Sequence, residues 1–149
     1  MFFAFPIGRG KLDYWTNSLQ HYSTSLAVHL LIWSGFHPYQ ANVNQIYIGH
    51  YSLYVAAACA GMGLALSVIA FAVLFCLIAR LNVFKSAIMI LASLVIVIPI
   101  NAFRIALIAV VGDRMGDSAA AHFHDWSGYL SLVILFLILM KFTRLLGWK

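Results

Sequence analysis

The chain has 149 residues, of which 64 % are hydrophobic and 9 % are charged, and its mean hydropathy is +0.95. These values exclude an ordinary soluble domain and predict a single membrane domain over residues 1–149, with the lipid bilayer as its surroundings. The net charge of +5 does not indicate a nucleic-acid partner. Most lysines and arginines lie near the ends of apolar runs, where they act as signals of membrane orientation.

Four apolar stretches predict an all-α polytopic bundle with about four transmembrane helices, because a spanning helix needs about 20 apolar residues. Polar loops separate the first from the second span and the third from the fourth, and a short hairpin is predicted near residues 44–55 of the first loop. The predicted spans cover residues 14–36, 53–79, 86–112 and 124–140, and the predicted loops cover residues 37–52 and 113–123.

Basic residues form three groups, which precede the first span, join the second to the third, and follow the fourth. Four spans place all three groups on one side of the membrane, and the excess of positive charge predicts that this side is the cytoplasm. Both predicted loops then face outward. The groups are Arg9 and Lys11, then Arg80 and Lys85, then Lys141, Arg144 and Lys149.

The third span contains a proline, an amide and a guanidinium, at Pro99, Asn101 and Arg104. A charged side chain near mid-membrane costs at least about 2.5 kcal/mol on insertion scales, so such residues indicate a functional site by default. Asn101 and Arg104 are three residues apart and share one helix face. The alternative is that Arg104 extends to the nearer membrane surface or pairs with a loop aspartate.

Three reactive residue types fall in the outer halves of three predicted spans, namely Cys59, Arg104 and His124. A nearby cation stabilises a nucleophilic thiolate, histidine exchanges protons near neutral pH, and a guanidinium can stabilise an oxyanion. Asp125 is expected to cap the fourth span or orient His124, and His122 is a neighbouring alternative.

Each of these residues also has a simpler interpretation. A lone cysteine in a membrane helix is usually a small apolar packing residue, and we interpret Cys76 in this way. A histidine at a helix entrance is often only a cap. A second hypothesis from a different class is a non-catalytic haem- or metal-binding membrane subunit. Its ligands would come from His29, His50, His122 or His124.

Three segments carry a resemblance to a known family. Residues 55–61 read VAAACAG, residues 101–105 read NAFRI, and residues 123–129 read FHDWSGY. In these segments and their order, residues 18–146 resemble the exosortase/archaeosortase family of multi-pass membrane cysteine transpeptidases. The chain resembles a minimal or divergent member, because Ala57 stands where the family has an acid and Ala60 where it has a serine.

The resemblance implies Cys59 as nucleophile, Arg104 as oxyanion- or substrate-positioning residue, and His124 as general acid/base, with Asn101, Asp125 and His122 in support. It implies cleavage of a C-terminal sorting tail through a thioester, without metal or organic cofactor, by a site that faces outward from a prokaryotic inner membrane. The expected partner is an exported protein that ends in a short motif, an apolar helix and basic residues. A third hypothesis is an inactive relative that only binds such tails.

Overall fold

The computed structural model describes residues 9–42, 44–55 and 62–145, with side chains at 14, 16–42, 44–55 and 63–145. Within these ranges the protein is mostly helical, in agreement with the helical part of the prediction. In chain order the elements are α1 (Arg9–Trp33), β1 (Tyr39–Asn42), β2 (Gln45–Ile48), β3 (Tyr51–Tyr54), α2 (Met62–Ile78) and α3 (Val83–Leu145).

Helix α3 consists of two antiparallel arms rather than one straight rod. Its backbone leaves helical geometry at Gly116 (φ 83°, ψ 177°), a conformation that glycine adopts without a Cβ penalty. We call residues 83–115 the first arm and residues 117–145 the second arm. Thr143 near the end of the second arm lies 3.9 Å (Oγ1 to Sδ) from Met89 near the start of the first. The predicted loop at residues 113–123 is therefore wrong, because helix continues on both sides of a one-residue break.

The ends of the shorter helices have identifiable caps. Two residues after the end of each helix, Gly35 (φ 84°) follows α1 and Arg80 (φ 47°) follows α2 in the left-handed conformation that commonly closes a helix. The Asn82 Oδ1 atom then accepts a hydrogen bond from the Lys85 main-chain N–H (2.9 Å), which caps the start of α3. The turn between α2 and α3 is therefore short; it contains Arg80, and the first turn of α3 contains Lys85, both of which the sequence predicts to be cytoplasmic.

The predicted outer loop between α1 and α2 contains an antiparallel sheet of three strands in the order β1-β2-β3. Gly49 has φ 52° at the first position of the two-residue β2–β3 turn, where type II′ turns favour glycine. The sheet packs on the first arm of α3, because the Tyr51 ring occupies the space beside Gly112. The hairpin prediction is correct in kind, but the predicted second span begins too early, since Leu53 and Tyr54 belong to β3 and α2 begins at Met62.

Two apolar clusters hold these elements together. One joins α2 to both arms of α3, and the other joins α1, the sheet and the first arm. Gln20 of α1 also donates from its amide nitrogen to the Val55 carbonyl, which fixes α1 against the end of β3. The first cluster includes Val68, Phe75, Met89, Val97, Leu135 and Leu139, and the second includes Ala27, Leu31, Ile46, Ile48 and Ile105.

Many large apolar side chains remain exposed on the helices, including Leu66, Leu91 and Leu137. Such surfaces suit a lipid environment better than water. In the part of the chain that is described, α3 is the one helix long and apolar enough to cross a membrane, and Gly63–Ile78 is apolar but shorter. Each of the four predicted spans overlaps a helical segment, and the four-span count stays a prediction.

Candidate active site

Arg104 is directed into the interface between the two arms of α3 and is only 8 % exposed. Its Nε atom donates a hydrogen bond to the Ser127 hydroxyl oxygen (3.1 Å), and its Nη2 atom donates to the His124 main-chain carbonyl (3.0 Å). A buried guanidinium needs such acceptors, because its desolvation is costly. The side chain therefore contacts the second arm rather than extending to a membrane surface.

The same guanidinium lies against the imidazole of His124. The Arg104 Nη2 atom is 3.4 Å from both Nδ1 and Nε2 of the ring. A donor aimed at one ring lone pair would be clearly nearer to that nitrogen, so these equal distances describe a face or edge contact rather than one directed hydrogen bond. The contact keeps the imidazole beside a fixed positive charge without assigning either ring nitrogen to it.

Ser127 connects the two residues and was not singled out by the sequence analysis. Its hydroxyl accepts from Arg104 Nε and donates to the His124 carbonyl oxygen (3.0 Å), which uses both the donor and an acceptor position of the group. Ser131 donates in turn to the Ser127 carbonyl (2.7 Å). A signal was available, because Ser127 follows His124 by three residues and therefore shares its helix face.

A cavity of about 460 Å³ opens beside this cluster, between the beginning of α2 and the two arms of α3. Gly128 forms part of its wall, and a Cβ atom there would lie 3.5 Å from Arg104 Nη2, at ordinary contact distance. The guanidinium therefore rests against the bare backbone of the second arm. The lining residues that matter for chemistry are Gly63, Ser67, Arg104, His124, Asp125 and Gly128.

The other predicted site residues fall in different places. Asn101 is completely buried on the first arm, one turn before Arg104, and does not line the cavity. Asp125 is exposed and lies on the cavity wall, whereas His122 is exposed and is not among the lining residues. Cys59 lies outside the described residues. In sequence it precedes Gly63 of the cavity wall by four positions, and its distance to Arg104 and His124 stays a prediction.

The residues of the second hypothesis are dispersed. His29 is exposed on α1, and His50 is exposed in the β2–β3 turn. No group of three or more histidine, cysteine, aspartate or glutamate side chains that could hold a metal ion occurs among the residues with described positions. Cys76, in contrast, is buried in the apolar cluster of α2 and α3, as its packing interpretation predicted.

A second cavity, of about 310 Å³, adjoins the first and shares His124 and Asp125 with it. Its opposite wall is strand β3, which contributes Tyr51 and Tyr54 among others. Burial, followed by the nearby Asp117 carboxylate, raises the pKa of the Tyr51 phenol above its usual value. This hydroxyl therefore stays protonated at neutral pH and remains a hydrogen-bond donor.

The fold and the site together define a helical membrane protein with an arginine–histidine cluster buried beside a cavity. A family model described as transmembrane exosortase matches residues 1–141, and the chain therefore belongs to the exosortase family. Neither a curated protein nor a solved structure gives a significant match. The resemblance predicted from the three sequence segments is thus confirmed, and family membership supports a membrane function in protein sorting.

Proposed function

We propose that this protein is a membrane-embedded cysteine transpeptidase or protease that removes a C-terminal sorting tail from exported proteins. The observation that carries the proposal is the contact between the Arg104 guanidinium and the His124 ring on the wall of a cavity. The other wall begins a few residues after Cys59 in the chain. Family membership supplies the reaction class, and the cluster supplies groups suited to its charges.

In the proposed reaction, the Cys59 thiolate attacks the scissile peptide carbonyl carbon, and the carbonyl oxygen becomes an oxyanion. Arg104 stabilises this oxyanion, because preorganised donors aimed at developing charge lower the barrier. The C–N bond then breaks as His124 donates a proton to the leaving amine, which leaves a thioester on Cys59. An amine, hydroxyl or water acceptor attacks the thioester, His124 takes the proton of the acceptor, and the Cys59 thiolate is restored.

Supporting roles follow from position. Ser127 holds Arg104 and the His124 main chain in one arrangement through its hydroxyl. Asp125 on the cavity wall is proposed to contact the substrate or to orient His124, and the buried Asn101 to support the first arm beside Arg104. His122, exposed and outside the lining, serves as a nearby comparison residue.

The proposed arrangement in the membrane has four spans, with α1, α2 and the two arms of α3 as the spanning segments. Basic groups at the start of α1, at the α2–α3 turn and at the end of α3 favour the cytoplasm for that end of the bundle. The sheet and Gly116 lie toward the other end, since the sheet packs at Gly112. The site therefore faces outward from the inner membrane of a prokaryote, toward exported substrates.

The decisive experiment uses the native host, where the natural substrates are already present. The chromosomal copy is replaced by Cys59→Ala, and Cys76→Ala serves as the matched control. Mass spectrometry of C-terminal peptides from membrane and secreted proteins should reveal uncleaved tails with Cys59→Ala and in a deletion strain, but not with Cys76→Ala. Full processing with Cys59→Ala would rule out the covalent mechanism.

A further inference from the structure

The second cavity lies between strand β3 and the proposed catalytic histidine. Its walls are strand β3 on one side and the second arm of α3 on the other, near Ala120 and Ala121. His124 and Asp125 line both cavities, so a ligand that extends from the second cavity into the first passes these two residues and comes close to Arg104. The small alanine side chains leave room for a polypeptide backbone in this cleft.

Strand β3 has one unoccupied edge within the sheet, because it pairs with β2 and with no other strand of the described chain. The Val55 N–H donates to the carbonyl oxygen of Asn44, the residue just before β2 (2.7 Å). In an antiparallel pair, residues that hydrogen-bond to the neighbouring strand alternate with residues that do not. Tyr51, Leu53 and Val55 therefore direct their main-chain groups toward β2. Ser52 and Tyr54 direct their N–H and C=O groups toward the outer edge of the strand.

We propose that the outer edge of β3 binds an extended segment of the substrate polypeptide, next to the bond to be cleaved, as an additional strand. This inference rests on the proposed function and names where the substrate chain lies. Main-chain hydrogen bonds to Ser52 and Tyr54 supply affinity and fix the register, and the cleft between β3 and the second arm holds alternate side chains. The peptide then runs past Asp125 to His124.

The chemistry of the cleft favours a peptide over other ligands. An exposed strand edge offers an alternating row of donors and acceptors that matches another extended backbone. Tyr54 is 65 % exposed and lines the cavity together with Tyr51, so the cleft offers aromatic surface to substrate side chains. Because both tyrosines are amphipathic, they can contact apolar groups and still donate hydrogen bonds.

Photo-cross-linking tests the proposal with a closely matched control. Tyr54→p-benzoyl-phenylalanine is compared with Tyr39→p-benzoyl-phenylalanine, because Tyr39 has the same side chain and similar exposure (68 %) on the opposite edge strand β1. The probe is the tail-bearing precursor that accumulates in the Cys59→Ala strain, and both variants carry Cys59→Ala. The yield of cross-linked adduct is expected to be at least tenfold higher with the probe at position 54 than with the probe at position 39. Equal adducts at both positions would overturn the proposal.

A second variant pair tests the main-chain contact itself. Ser52→Pro removes an N–H that faces away from β2, and proline is tolerated at such edge positions, so the β2–β3 ladder is retained. Ser52→Ala keeps the N–H and is the control. Processing of the same precursor should slow about tenfold with Ser52→Pro, as a rise in KM, and clearly less with Ser52→Ala, which changes only the side chain.

The two proposals fail in different ways. If no precursor accumulates with Cys59→Ala, the proposed function is wrong and the strand-docking proposal falls with it. If a precursor accumulates but Ser52→Pro processes it at the original rate, only the docking proposal is overturned. Membrane abundance and the thermal unfolding temperature of Ser52→Pro show whether the variant folds, and the cross-linking pair tests the docking independently of that outcome.

Discussion

The interface between the two arms of α3 has an apolar half and a polar half, and the difference separates stability from chemistry. Near the open ends of the arms, Met89, Val97, Leu135 and Leu139 are almost fully buried against one another and against α2. Nearer to Gly116, the same two arms meet through Arg104 and residues of the second arm. The same pair of helices is thus held by packing at one end and presents a buried charge at the other.

The two halves carry opposite energetic consequences. Burying an aliphatic side chain stabilises a fold by about 1.5–3 kcal/mol, whereas a buried guanidinium stabilises it little even with good partners. Arg104 is therefore explained poorly by stability and better by its position beside His124 and the cavity. Substitutions in the polar half should therefore damage processing, and substitutions in the apolar half should damage folding.

The largest predicted effect on processing comes from Arg104→Lys in the polar half. Lysine keeps the charge but loses the planar group that contacts Ser127 and His124 together, so processing should fall by about 10²–10³, as for loss of an oxyanion donor. Arg114→Lys, at an exposed arginine of the same arm, is the control. The measurement is tail cleavage on a gel, normalised to membrane abundance. Normal cleavage would reduce Arg104 to a counter-charge.

In the apolar half, Leu135→Ala should lower the free energy of unfolding by about 2–5 kcal/mol, because it leaves a cavity at a fully buried position. Leu137→Ala removes the same atoms from a side chain that is 51 % exposed and should change stability little. Unfolding in detergent measures the difference. The cleavage rate per folded molecule should be unchanged with Leu135→Ala. A loss of that rate without a loss of stability would argue against assigning stability to the apolar half and processing to the polar half.

Two glycines of α3 sharpen the comparison between close packing and open space. A Cβ atom at Gly112 would overlap the Tyr51 ring, but one at Gly128 would lie 3.5 Å from Arg104 Nη2. Gly112→Ala should therefore displace the sheet and cost about 1–3 kcal/mol of unfolding free energy, whereas Gly128→Ala should be nearly neutral. Thermal unfolding of both variants checks the order, and equal destabilisation would contradict the described sheet packing.

Within the polar half, the smaller predicted effect on processing comes from Ser127→Ala. The variant loses the hydroxyl that accepts from the charged Arg104 side chain, a hydrogen bond that corresponds to about 1.5–3 kcal/mol, so processing should fall about tenfold or more. Ser127→Thr keeps the hydroxyl and should retain more activity. Ser131→Ala, one turn further along, should have almost no effect on processing. If Ser131→Ala were the more damaging variant, the role given to Ser127 would be wrong.

Much of this arrangement could be predicted from the sequence, and the failures have physical causes. Arg104 stood out because a charge in an apolar run is expensive, and His124 because of its family-like segment. The break at Gly116 was mistaken for a loop because Asp113, Arg114 and Asp117 are polar, although the alanines that follow favour helix. The start of α2 was set too early, because one apolar run covers both β3 and the helix and composition alone does not divide them.

The arginine–serine–histidine arrangement could be predicted only in part. Spacing placed Asn101 and Arg104 on one face, but whether that face meets the second arm depends on how the arms pack. Gly116 allows the chain to reverse within one residue, which brings Arg104 and Ser127 together across 23 positions of sequence. Such a contact between distant residues follows from the turn geometry, and periodicity carries no information about it.

The proposed mechanism requires Cys59 to lie in the same site as Arg104 and His124, and short-range cross-linking of thiols tests this placement without a substrate. In a Cys76→Ala background, His124→Cys is compared with His122→Cys, and each membrane preparation is treated with a short bis-methanethiosulfonate reagent. We expect an intramolecular link between Cys59 and position 124, identified by mass spectrometry, and little link to position 122. A link to position 122 with none to position 124 would contradict it.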